Sequence, residues 1–181
     1  MIFMIKRIPS RSPYGLYFKL KMALWWFVES VFFRTSLHKM NGFRCFILRL
    51  FGAKIGINTF IHPSARIWFP WNFQIGDNGG VGFDSLIYSL DLVILGDFVT
   101  VSQRVHINTG SHDYTRPDFS LITKPVKIED GVFIGTDSYI NMGVVVGAYS
   151  VIGARSVVVK DLPSGYLCVG HPCVPIKLIS S

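Results

Sequence analysis

Aliphatic residues return every six positions along most of the chain. Ile55, Ile61 and Ile67 set the frame; after a slip of two residues it resumes at Ile75, Val81 and Ile87, and after another at Leu95, Val101 and Ile107. Past an interruption it runs through Ile128, Ile134, Ile140, Val146, Ile152 and Val158, then more loosely to Leu167 and Cys173. The next residue is often glycine (Gly56, Gly76, Gly82, Gly96, Gly135, Gly147, Gly153), and the fourth one on is often small (Thr59, Ala65, Ser85, Ser111, Ser138, Ser150, Ser156). One inward aliphatic per six residues describes a flat strand and a tight corner. Three such units close a triangular coil, and stacked coils pair strand on strand at about 4.8 Å. Glycine is expected at the corners for the backbone angles it alone adopts freely. An antiparallel sandwich would alternate with period two and lose this frame in loops of variable length. The pattern therefore predicts a mainly β fold, a parallel β-helix over residues 55–177 with a short tail at 178–181.

Residues 1–54 follow other periods. Residues 17–34 read as a helix that is apolar nearly all round. Residues 38–52 carry Phe43, Phe46, Ile47, Leu50 and Phe51 at helical spacing, with Arg44 and Arg49 off that stripe and Gly52 placed to end the helix. The expectation is a helical segment whose apolar stripe covers the edge strands at the open end of the β-helix. The longest apolar run here, Met22 to Val28, falls far short of the ~20 residues of a membrane span. The opening MIFMIKR is followed at once by proline and charge, unlike an export signal.

Composition adds an oligomer. Half of the 181 residues are hydrophobic and 16% are charged, a surface that association between subunits would cover. The net charge of +7 is segregated: residues 1–54 hold ten Lys or Arg against Glu29 alone, while residues 55–181 are slightly acidic. The basic residues lie among Trp and Phe without a nucleic-acid motif, which argues against a nucleic-acid partner. They suit either peripheral contact of residues 1–35 with an anionic membrane or packing between subunits. Three scattered cysteines imply no disulfide framework, and a cytoplasmic protein is expected.

The stretch from Asp113 to Pro125 is too polar and proline-broken for a rung. It is expected to leave the β-helix as a protruding loop over 113–127, and long loops on rigid scaffolds often carry function. His112 sits at its root, where an imidazole would serve as a base of near-neutral pKa. The competing reading is a loop histidine bonded to a corner carbonyl. Asp113 is a candidate to orient the ring, and corner glycines such as Gly135 are candidate N–H donors to an oxyanion. His106 and His112, six residues apart, diverge on successive faces, so a three-imidazole metal site is not expected.

The segment IGTDSYINMGVVVGAYSVIGARSVVVKDLPSGYLCVGHPC resembles the hexapeptide-repeat acyltransferases. NTGSHDYTRPDFSLITKP and LRLFGAKIG are most similar to the colanic acid biosynthesis acetyltransferases, in the wider group of maltose and galactoside O-acetyltransferases. The resemblance implies a left-handed β-helix, a homotrimer and acetyl-CoA-dependent transfer to a sugar hydroxyl, with no metal. Carried over on matching positions, His112 in TGSHD is the general base. Gly135, Thr136, Ala154, Val159, Lys160 and Lys177 line the acetyl-CoA. The acceptor would be a sugar or lipid-linked glycan of surface polysaccharide synthesis. An asparagine that helps hold the sugar in the maltose and galactoside group aligns near Gly82, leaving Asp84 and Ser89 as the polar candidates. N-acetylation of an amino sugar and a non-catalytic trimeric scaffold are the alternatives.

Overall fold

The computed structural model describes residues 14–179; the outermost part of the expected membrane-contacting segment, residues 1–13, and the end of the tail lie outside them. Five complete coils stack as a parallel β-helix with three flat faces. The first face is built from Lys54–Ile55, Phe73–Ile75, Val93–Leu95, Val126–Ile128 and Val145–Val146. The second starts at Phe60–Ile61 and climbs to Val151–Ile152, and the third runs from Arg66–Ile67 to Val157–Val158. Each aliphatic of the six-residue frame meets its counterpart in the next coil, as Ile55 meets Ile75 and Ile140 meets Val158. All of them from Ile55 to Val158 are buried, together with the small residues four places on, except Ser111.

The corner glycines are there for another reason than the expected one. The left-handed backbone falls three residues after most of the aliphatics, at Asn58, Asn78, Asp84, Phe98, Arg104, Asp137, Tyr149 and Arg155 and at the glycines Gly131 and Gly143. The repeated glycines sit two residues earlier with ordinary φ, where the next coil passes too close for a side chain. A Cβ on Gly82 would lie 2.8 Å from the carbonyl carbon of Ser102, and one on Gly135 would lie 2.6 Å from the amide nitrogen of Ala154. At the corner after the first face, the following amide is held by a carboxylate from the coil above. Asp77 accepts from Ile57 N, Asp97 from Asp77 N and Asp130 from Asp97 N, at 2.7–2.9 Å.

The repeat ends one residue out of the expected phase. Cys168, not Leu167, stacks on Ile152, and Cys173 belongs to a strand, Cys173–Leu178, that returns antiparallel along Tyr166–Gly170. This hairpin closes the second face at its upper edge.

At the lower end two helices plug the coil. Helix α1 (Leu16–Val28) runs into a π-turn at Glu29–Phe33, and α2 is Asn41–Leu50. The Trp25 indole N–H donates to the Ile67 carbonyl at 2.9 Å, and Trp25, Phe33, Ile47 and Leu48 join the aliphatic interior as one core. Gly52, at φ +96°, ends α2 with the paired bonds of a Schellman cap, Ala53 N to Leu48 O and Gly52 N to Arg49 O.

The buried face of α2 differs from the expected stripe. Arg44, Cys45, Ile47 and Leu48 point inward, while Phe43, Phe46 and Leu50 are exposed. Arg44 is fully buried because every nitrogen of its guanidinium finds an acceptor: Nε on Ile61 O, one terminal nitrogen on Leu37 O and Ser36 Oγ, the other on His38 O. That cation fastens the turn before α2 to the first coil. Hydrophobic periodicity alone could not place it inward.

Candidate functional site

Twenty-one residues separate Ile107 from Ile128, where eight separate Ile67 from Ile75. The surplus leaves the corner between third and first faces as an antiparallel arm. Gly110–His112 pairs with Leu121–Thr123, His112 opposite Leu121. The excursion thus begins at Gly110, taking Ser111 and His112 out of the repeat, and Val126 and Lys127 already belong to the next coil. Its root is firm. Thr109 is buried, its hydroxyl donating to Tyr88 O and accepting from Asp91 N, while its carbonyl accepts from Lys124 N.

On the arm, His112 Nδ1 lies 2.7 Å from the carbonyl oxygen of Phe119, and the two rings stack at 4.7 Å with 7° between planes. A carbonyl only accepts, so Nδ1 carries a proton, and Nε2 is the nitrogen left to exchange one with a substrate. Phe119 aims that carbonyl by adopting φ +46°, an uncommon conformation for an aromatic residue. Asp113 turns the other way: its carboxylate accepts from the amide and hydroxyl of Thr115, which hold it below the usual carboxylate range. The ring is oriented by a backbone carbonyl, a partner without a sequence signature.

The remaining candidates, Lys177 apart, lie on two edges of the third face. Val159 and Lys160 follow Val157–Val158 on the same third-to-first corner as the arm, two coils higher, and both are exposed. Gly135, Thr136 and Ala154 occupy the second-to-third corner, across the face. Asp84 lies lower on that corner, whereas Ser89 is fully buried with its hydroxyl bonded to both the amide and the carbonyl of Phe69. Lys177 is on the returning strand, opposite Leu167.

Gly135 does not offer a free N–H. It donates to Ile152 O at 2.8 Å, and the other glycines following the frame residues donate likewise into the coil above. Among the described residues, the amides of Thr136 and Ala154 make no such bond, and no aspartate ladder runs along this corner. A polar cluster that the sequence did not reveal stands there instead. Thr136 Oγ1 donates to Gln103 Oε1 at 2.7 Å, Ser102 Oγ lies 3.0 Å from Thr136 Oγ1, and Arg104 forms a two-pronged pair with Asp137 at 2.7 and 3.0 Å. Residues 33 apart meet because they occupy equal positions in stacked coils. His106 faces outward on the third face between Tyr88 and Tyr139, its buried Nε2 without a partner among the described residues, and burial pushes its pKa down.

The molecule is a parallel β-helix of six-residue rungs, interrupted once by an arm on which the His112 Nδ1 meets the Phe119 carbonyl, and comparison with known proteins gives its class. The family described as "Bacterial transferase hexapeptide (six repeats)" matches residues 125–160. The Escherichia coli protein named "Putative colanic acid biosynthesis acetyltransferase WcaF" is 39% identical over 158 residues, 87% of each chain. The galactoside O-acetyltransferase of the same species is 32% identical over 71% of this chain and 64% of its own. A hexapeptide-repeat acetyltransferase from Vibrio cholerae, solved with acetyl-coenzyme A, superposes with a TM-score of 0.85 at 26% identity, covering 94% of this chain and 93% of that one. A galactoside acetyltransferase in complex with coenzyme A gives 0.85 at 27%, covering 93% and 86%. The chain belongs to the hexapeptide-repeat acetyltransferases.

Proposed function

We propose that the protein transfers the acetyl group of acetyl-CoA to a saccharide hydroxyl, with His112 as general base. The observation that carries this reading is the Nδ1–Phe119 hydrogen bond, which fixes the one tautomer able to accept a proton at Nε2. Nε2 removes the proton of the acceptor hydroxyl as its oxygen attacks the acetyl carbonyl. The tetrahedral centre then collapses, the carbon–sulfur bond breaks, and the imidazolium returns its proton to the departing thiolate. No covalent enzyme intermediate is needed, since holding both substrates together supplies much of the rate.

The donor fits the second-to-third corner. The unbonded amides of Thr136 and Ala154 are suited to the thioester and pantetheine carbonyls, and Gly135, whose Cβ position is taken by the coil above, lets the two coils stack closely enough to present them together. Val159, Lys160 and Lys177 are assigned to the remainder of the cofactor, the lysines toward its phosphates. Because His112 and Gly135 stand on opposite edges of one face, a site using both is completed by a second subunit. A homotrimer packed on the third face gives three such grooves. Asp84, Ser102, Gln103 and Arg104 then form a polar wall for a hydroxyl-rich acceptor. Ser89 is not part of that wall, its hydroxyl being committed to Phe69. Likeness to the colanic acid relative favours a surface-polysaccharide sugar, acetylated on the cytoplasmic side where acetyl-CoA is made.

Calorimetric titration of acetyl-CoA into the purified protein tests the donor half without knowledge of the acceptor. Saturable binding at about one site per subunit, weakened by Lys160→Glu, is expected. The absence of both heat and thermal stabilisation would leave only a scaffold. Labelled-acetyl transfer to a panel of glycans and amino sugars, with His112→Ala as control, tests the chemistry and separates O- from N-acetylation.

A further inference from the structure

Helix α1 is apolar on two opposite sides, and only one of them is used. Trp25 is fully buried and Phe18 packs edge-on to Phe69 and Trp71, both against the end of the β-helix. On the far side Leu16, Tyr17, Leu20, Leu24 and Phe27, continued by Val31 of the π-turn, form a ridge, each 43–81% exposed. At 1.5 Å per residue the ridge is about 22 Å long. No described helix is long and apolar enough to cross a membrane.

The charges around this ridge have one sign. Glu29 is the only acid among residues 1–54, and it is withdrawn into the core with Ile67 and Arg66 as neighbours, so the described cap exposes no negative group. Lys19, Arg34 and Lys39 remain exposed on the same layer. A second copy presenting its own cap would bring like charge against like charge. An anionic lipid surface supplies the opposite charge together with an apolar layer shallow enough for one helix face. We propose that the cap is a docking surface for an anionic phospholipid bilayer, with the ridge of α1 lying in the interfacial plane and the surrounding cations on the headgroups. The inference does not depend on the acyl-transfer chemistry. A threefold assembly with parallel axes would present three ridges on one side and strengthen the contact by multivalency.

The test uses the full chain and two kinds of vesicle, pure phosphatidylcholine and phosphatidylcholine mixed with phosphatidylglycerol. Co-sedimentation with the phosphatidylglycerol vesicles alone, reduced by added salt, is expected. A Leu20→Glu/Phe27→Glu variant should lose about tenfold in partitioning for each apolar side chain removed from contact. Both residues are exposed, so an unchanged melting temperature and an unchanged far-ultraviolet circular dichroism spectrum verify that the variant is folded. Protein remaining in the supernatant with both vesicles would overturn the proposal, and so would equal binding to both. It would equally fail if the variant ran as a smaller oligomer than the parent in sedimentation velocity, since the ridge would then be a subunit contact.

Discussion

His112 and Phe119 hold one another across the arm, Nδ1 to carbonyl oxygen at 2.7 Å and ring upon ring at 4.7 Å. The pair makes the imidazole rigid on a segment that otherwise projects into solvent. It also separates two roles that adjacency in sequence would have merged. His112→Ala should lower kcat by about 10²-fold or more while leaving acetyl-CoA affinity unchanged. Phe119→Gly, which accepts the same backbone angle without the ring, should lower kcat by about tenfold at unchanged KM for acetyl-CoA. Asp113→Asn should change kcat by no more than about twofold, because its carboxylate serves Thr115. Steady-state kinetics on the three variants decides between Phe119 and Asp113 as the orienting residue.

The β-helix was legible because its constraint repeats. Every coil must place an aliphatic inward at the same step, so Ile55 to Val158 reads as a frame from residue order alone. The arm was legible as a failure of that frame, although its first strand, Gly110–His112, still looks like a rung because Ser111 falls where a small residue is expected. What could not be read depends on contacts without a local signature. Phe119 orients His112 through a main-chain oxygen; Ser102, Gln103 and Thr136 meet only because the coils stack; Arg44 is buried because distant carbonyls happen to surround it. The amphipathic stripe of α2 misled for the same reason. Its outward side is the more apolar one, and charge pointed inward.

Arg44 should matter more than any single aliphatic of the cap. Arg44→Met removes the donors to Ile61 O, in the buried core, and to His38 O, while Leu37 O keeps the Met40 amide. A loss of about 3 kcal/mol is expected, from a desolvation cost of roughly 1–3 kcal/mol per unsatisfied group partly relieved by relaxation. Chemical denaturation followed by tryptophan fluorescence measures it. Arg44→Lys should recover only a minor part, since an ammonium cannot reach three separated carbonyls through a planar fork.

The two kinds of corner position should respond oppositely to substitution. Gly82→Ala has no φ penalty, yet its Cβ would come 2.8–2.9 Å from the Ser102 carbonyl group, backbone that cannot swing aside. A cost of about 1–3 kcal/mol is expected from forcing the coils apart. Asn78→Gly, at φ +55°, relieves a left-handed residue and should be close to neutral. Melting temperatures of the pair distinguish close approach from backbone angle as the reason for glycine in this repeat.

His106 gives the protein an acid-sensitive point. Its imidazole lies edge-on to Tyr88 and Tyr139, its Nε2 has no partner among the described residues, and burial lowers its pKa below the ordinary 6.5. His62 is lowered too, by burial and by the nearby His38 and Arg44, while Asp84 acts on it in the opposite sense. A depressed pKa means that the unfolded chain takes up the proton first. Stability from these residues is therefore complete above about 6.5 and is lost as pH falls from there through the lower folded-state values. His106→Phe keeps the aromatic packing and removes the unpartnered nitrogen, so it should match or exceed the parent at neutral pH. It should also show a shallower decline in melting temperature between neutral pH and pH ~5. A decline as steep as the parent's would assign the acid sensitivity to His62 alone, and a large loss at neutral pH would mean that Nε2 binds something in the assembled protein.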